Sequence, residues 1–135
     1  MKGSIFTDGG ARGNPGPAAS GAVLKDENKN TIDIKGKYLG TSTNNVAEYE
    51  GIILGLLTAK KHDITDLECF LDSELVVKQL KGLYKVKNEG LKELFIKVKA
   101  LEKDFVKISY THIVRALNKE ADAVVNKVLD LKSTC

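Results

Sequence analysis

The chain has 135 residues, 42% of them hydrophobic and 29% charged, with a formal net charge of +3. That length and balance fit one globular domain over residues 1–135 with an ordinary core, and they exclude a disordered, collagen-like or disulfide-scaffold chain. No stretch approaches the roughly 18 apolar residues of a membrane-spanning helix, and the opening MKGSIFTDGG, with an acid at Asp8 and no long apolar run, does not read as a signal peptide.

The chain opens with three segments patterned as strands, over 2–8, 19–25 and 31–39. Their joins are rich in Gly, Asn and Asp, which suits short antiparallel connections. The period then changes. Val46, Tyr49, Ile52, Ile53, Leu56 and Leu57 fall at helical spacing within 45–61. Ser42, Thr43 and Asn44 are each able to cap that helix. Gly51 and Gly55 are costly inside it, and imply close packing on a sheet. A buried strand is expected over 66–71, with Cys69 as a small apolar residue inside it. A short helix follows over 73–80, then a second amphipathic helix over 89–104, with Leu91, Leu94, Phe95, Val98 and Leu101 on one face. A strand over 107–112 and a helix over 118–131 complete the chain, the helix carrying Ala121, Val124, Val125, Val128 and Leu129. Strands alternating with helices in the second half call for parallel pairing through crossovers. The fold class is α/β: a mixed sheet of five strands, three antiparallel and then two parallel, flanked by helices. The two cysteines, Cys69 and Cys135, have no metal spacing and make no disulfide framework. Reduced thiols and a cytoplasmic location are expected, with Cys135 an incidental thiol at the tail.

The carboxylates carry the chemistry. Asp8 is expected to end the first strand and Asp72 to follow the fourth. If those strands are parallel neighbours, both acids lie at the carboxyl edge of the sheet, where sites of α/β proteins form. Glu48 and Asp122 fall in the first turns of two helices whose N-terminal ends can face that edge. Acids gathered in this way repel unless divalent cations neutralise them, and a set of hard oxygen ligands suits Mg²⁺ or Mn²⁺. Two such ions about 3.5–4 Å apart are the usual clamp for in-line phosphodiester displacement. The segment 9–17 is rich in Gly and Pro but lacks the Gly-Lys-Ser/Thr ending of a phosphate-binding loop, so an NTPase is excluded. Its glycines allow backbone groups to approach a ligand closely. Between Glu74 and Glu89 there is no acid, while Lys78, Lys81, Lys85 and Lys87 all fall there. Such lysines suit phosphate contacts or a solvated face.

Four segments resemble, in order, the motifs of type 1 ribonuclease H: TDGGARGNPGPAASGAV over 7–23, TSTNNVAEYEGIILGL over 41–56, LDSELVVKQLKGLYKVKN over 71–88 and NKEADAVVNKVLD over 118–130. The resemblance implies a ribonuclease H-like fold and an enzyme that hydrolyses the RNA strand of RNA/DNA hybrids, leaving 5′-phosphate and 3′-hydroxyl ends. It implies that Asp8, Glu48, Asp72 and Asp122 are both the catalytic acids and the ligands of two Mg²⁺ or Mn²⁺ ions, with Asp8 shared between them. It further places substrate contacts on Gly10, Arg12, Asn14, Asn44, Asn45 and Ser73, and a phosphate grip on Thr43. The chain departs from many members of the family in two places. The basic protrusion after the third motif is missing, with Lys85 and Lys87 partly standing in for it. The loop before the last helix has no histidine and holds Arg115, a candidate for contact with the scissile phosphate. His112 belongs to a strand, and His62 reads as a solvated cation at a helix C-terminus. The expected partner is an RNA/DNA hybrid, with double-stranded RNA as a further substrate. No membrane association is expected, and the chain is expected to be a monomer. The rival reading is a binding module for hybrids or double-stranded RNA with weak or no catalysis. A degenerate member would usually lack one of the four acids, and here all are present.

Overall fold

The computed structural model describes residues 1–133, so Cys135 lies outside the described residues. Ten elements follow the chain: β1 (Lys2–Ala11), β2 (Gly16–Asp26), β3 (Thr31–Ser42), α1 (Asn44–Lys61), β4 (Asp66–Leu71), α2 (Glu74–Leu80), α3 (Glu89–Glu102), β5 (Lys107–His112), a 3₁₀ turn (Arg115–Leu117) and α4 (Lys119–Ser133). The five strands form one sheet in the order β3-β2-β1-β4-β5. β1 pairs antiparallel with β2 and parallel with β4, and β4 pairs parallel with β5. This is the mixed sheet expected from the sequence, with β1 at its centre.

The first three strands run further than their hydrophobic patterning shows. Asp8 does not end β1: the strand continues through Gly9, Gly10 and Ala11, paired with Ser20, Ala19 and Ala18 of β2. Ladder hydrogen bonds, which need no side chain, carry these glycines, so the turn between β1 and β2 shrinks to 12–15. The parallel pairing of β1 with β4 stops at Phe6 and Phe70. Asp8 therefore still lies just past the carboxyl end of the parallel ladder, beside Asp72.

Polar caps set the helix starts. The Thr43 hydroxyl accepts from the Val46 N–H at 3.3 Å, Ser73 does the same for Val76, and Asn88 for Leu91. Each satisfies one of the orphan donors of a first turn. At the other end of α1, His62 stands at the C-terminus as expected, but it is only partly solvated. Its Nε2 lies 2.9 Å from Asp33 Oδ2, tying the helix end to β3. That bond holds the Asp33 carboxyl below its ordinary range.

One face of the sheet carries the main core. Ile5, Leu24, Leu67, Cys69 and Leu71 pack under Tyr49, Ile52, Leu56 and Ala59 of α1, with Val76, Leu80, Leu91 and Val98 beyond. Burying each large side chain contributes about 1.5–3 kcal/mol. The other face is covered by α4 through Val125 and Leu129, which meet Ala19. Burial pushes the Cys69 thiol well above its ordinary range, which leaves it unreactive.

The approach of α1 to β1 decides where Glu48 sits. A Cβ on Gly9 would overlap the Ala47 carbonyl and reach within 2.5 Å of the Glu48 nitrogen. A Cβ on Gly51 would lie 2.7 Å from the Asp8 carbonyl oxygen. By contrast, a Cβ on Gly10 would meet only Val125 Cγ1, at 3.9 Å. Gly9→Ala should therefore lose more than about 2 kcal/mol through forced displacement of the α1 first turn, while Gly10→Ala should stay close to the parent. Urea unfolding midpoints of the two variants check this.

Candidate active site

Asp8 reaches the site from β1, Glu48 from the second turn of α1, and Asp72 from the residue after β4. Each offers a carboxylate oxygen, and the three oxygens lie within 4.8 Å of one another. Asp122 projects from the first turn of α4 and lies outside that set of three, but it is near enough to Asp8 to help raise the pKa of its carboxyl. The four acids line one cleft of ≈ 430 Å³ together with Gly10, Arg12, Asn44 and Arg115.

Burial makes this arrangement unfavourable when every acid is charged. Asp8 is 7% exposed and Glu48 9%. Loss of hydration, followed by the nearby charge of Asp72, raises the Asp8 pKa to about 7, against a smaller opposing pull from the Gly9 N–H. Burial likewise drives Glu48 well above the usual carboxylate range, with Asp8 the next cause. One Glu48 oxygen, Oε2, is buried with no hydrogen-bond partner. A buried acceptor without a donor, among carboxylates that share protons, fits a place for a divalent cation.

The predicted substrate contacts separate into groups. The hairpin tip and the start of α1 are laced together: Ala11 N–H donates to Asn44 Oδ1 at 2.8 Å, and Asn44 N–H to Asn14 Oδ1 at 3.0 Å. Both amide oxygens are thereby occupied, which leaves the Nδ2 groups of Asn14 and Asn44 to donate outward. Asn14, Thr43, Asn44 and Asn45 line a recess of ≈ 440 Å³ with Asn88. Arg12 is paired with Asp130 of α4 at 2.6 Å. Arg115, on the 3₁₀ turn, lies 3.5 Å from Asp122 Oδ1. The structure does not bring Ser73, Lys85 or Lys87 to the cleft. Ser73 caps α2, and the two lysines line a separate groove of ≈ 540 Å³ with Tyr84, Phe95 and Ile96.

Two residues at the site escaped the sequence reading. Asn88 and Asn118 each precede a helical run, a position where asparagine reads as a cap. Asn88 is a cap and a recess wall at once. Asn118 is buried behind Asp72, its Nδ2 donating to the Thr7 carbonyl at 2.9 Å and to Asp72 Oδ2 at 3.3 Å.

A family model described as reverse transcriptase-like matches residues 6–128. The crystal structure of RNase H1 from Halobacterium salinarum superposes with a TM-score of 0.94 at 38% identity, covering 96% of this chain and 98% of that one. The chain belongs to the ribonuclease H family. LC11-RNase H1, solved in complex with an RNA/DNA hybrid, superposes with a TM-score of 0.92 at 42% identity, over 98% of this chain and 99% of that one. A bifunctional protein of Mycobacterium tuberculosis is 44% identical over 131 residues, 96% of this chain. The ribonuclease H-like chain spans only 36% of that relative's length.

The raised pKa of Asp8 has a consequence for stability. Between its ordinary value of 3.8 and about 7, the folded chain holds a proton that the unfolded chain has lost. Folding stability therefore falls as pH rises through that window and stays lowered above it. Asp8→Asn removes the penalty. In EDTA it should be about 2–4 kcal/mol more stable than the parent at pH 8 and little different at pH 4, as read by urea unfolding.

Proposed function

We propose that this chain is a divalent-metal-dependent endonuclease that hydrolyses the RNA strand of RNA/DNA hybrids. The observation that carries the reading is the convergence of Asp8, Glu48 and Asp72 within 4.8 Å at the floor of an open cleft, with Asp122 on its α4 wall. The hybrid bound to a structural relative supports the substrate class.

Asp8, Glu48, Asp72 and Asp122 would hold two Mg²⁺ or Mn²⁺ ions. Cations bound there would lower the pKa of a water and relieve charge on the scissile phosphate. The overall reaction adds water across the phosphodiester: a water oxygen bonds to phosphorus, the bond to the 3′ oxygen breaks, and the ends are a 5′-phosphate and a 3′-hydroxyl. No histidine lines the cleft among the described residues, and Arg115 is the cationic side chain paired with Asp122. Its side chain, 81% exposed, suits a phosphate held beside Asp122.

Substrate reading follows from the outward amide donors. Asn14 and Asn44 each present Nδ2 while their oxygens are held by the backbone. Two donors in fixed positions match 2′-hydroxyl oxygens and the acceptors that every base pair shows in the minor groove. Such contacts read groove shape and the presence of ribose, with little dependence on base sequence. Thr43 and Asn88, which both line the neighbouring recess, suit a backbone phosphate of the DNA strand. Lys85 and Lys87 lie in their own groove, and suit phosphates further along the duplex.

A labelled RNA/DNA hybrid incubated with Mg²⁺, Mn²⁺ or EDTA tests the proposal, alongside double-stranded RNA and DNA. Cleavage of the hybrid's RNA strand should require metal. Asp8→Asn and Asp72→Asn should each lower kcat more than about 100-fold, beyond the loss seen when only outer partners of a metal site are removed. Hybrid binding without cleavage under either metal would overturn the enzyme in favour of a binding module.

A further inference from the structure

Asn118 stands immediately before α4, where an asparagine ordinarily caps the helix by accepting an N–H of the first turn. Here its backbone alone serves the helix, the Asn118 carbonyl accepting from the Asp122 N–H at 3.1 Å. The side chain is 1% exposed and turns inward. Its Nδ2 makes the two bonds described above, to the Thr7 carbonyl and to Asp72 Oδ2. Oδ1 is left buried without a partner.

The orientation of this amide is fixed by its neighbours. Thr7 O and Asp72 Oδ2 are both acceptors, so only an NH₂ group can serve the two together. Turned over, the amide would set its own oxygen against both. A residue that forgoes its cap and buries an unpaired acceptor is held there by the two bonds it does make. Those bonds join three elements: β1 at the residue before Asp8, the Asp72 carboxylate beyond β4, and the start of α4 four residues before Asp122. A carboxylate at a metal site that accepts a hydrogen bond on one oxygen is restrained in rotation, and presents its other oxygen in a set direction.

We propose that Asn118 is a positioning residue for the metal site: its buried amide fixes the Asp72 carboxylate against Asp8 and Glu48, and so sets metal affinity. This rests on the reading of the acid cluster as a metal site. A merely structural staple would hold α4 to the sheet and leave metal affinity alone, which separates the two roles by experiment.

The test titrates Mn²⁺ alone into the full chain by calorimetry, for the parent, Asn118→Ala, Asn118→Ser and Tyr110→Phe. Serine still caps a helix but is too short to reach Asp72, so Asn118→Ser keeps the fold while removing the amide. Tyr110→Phe removes a hydrogen bond to Glu102 in the core, away from the acids, and serves as the control for simple destabilisation. Both Asn118 variants should bind Mn²⁺ about 10–100-fold more weakly. Tyr110→Phe should bind as the parent does, although its Tm falls. In hybrid cleavage, the Asn118 variants should lose kcat at limiting Mn²⁺ and recover much of it at saturating Mn²⁺, with KM for the hybrid unchanged. Parent-like Mn²⁺ affinity in a folded Asn118→Ser would overturn the role of Asn118 alone. A parent that binds no Mn²⁺ would overturn the metal-site reading and this inference with it.

Discussion

Burying acids beside one another is the constraint around which this chain is arranged. Asp8 and Glu48 are nearly out of water, and Asp72 lies within a few ångströms of both. In the absence of cations such a group must hold protons, and burial is the largest force that raises Asp8 toward neutrality. The core packed under α1 supplies the stability that offsets this repulsion. A site that weakens its own fold in this way is expected where charge has been gathered for a ligand.

The central strand and the first helix set the geometry. β1 carries Asp8 past the end of its parallel ladder, and Gly9 and Gly51 let α1 come close enough to place Glu48 against it. Thr7, on the far side of Asp8, gives its carbonyl to Asn118, so the same few residues of β1 touch both helices that bring acids. The hairpin tip is tied to α1 by the exchange between Asn14, Asn44 and Ala11. The groups proposed to read a duplex therefore stand on the same elements as the acids proposed to cut it, an arrangement that would favour precise positioning of substrate.

Much of this was legible in the sequence. The two short strands over 66–71 and 107–112 were patterned clearly enough to be placed at their observed bounds, Asp66–Leu71 and Lys107–His112. The five-stranded mixed sheet followed from the order of strands and helices. The extension of β1 past Asp8 was hidden because Gly9, Gly10 and Ala11 carry no hydrophobic pattern, and their strand is written only in backbone pairing. The contact of His62 was missed for a related reason: its partner Asp33 lies 29 residues away, and nothing local records that pairing. Among the site residues, Asp8, Glu48, Asp72 and Asp122 were named from the sequence, and the structure brings them to one cleft. Asn118 was not: the sequence places it as the first residue of the last helix, and only the fold shows its side chain turned inward.

Protons and metal are, in this account, alternative occupants of the same carboxyl oxygens. The direct test is calorimetric titration of the parent chain with Mn²⁺ near pH 6.5, repeated in buffers of different ionisation enthalpy. Protons held on Asp8 and Glu48 should be expelled as the metal binds, so the observed heat should vary with the buffer and affinity should rise with pH. Heats that do not depend on the buffer, with affinity flat between pH 6 and 8, would contradict the account.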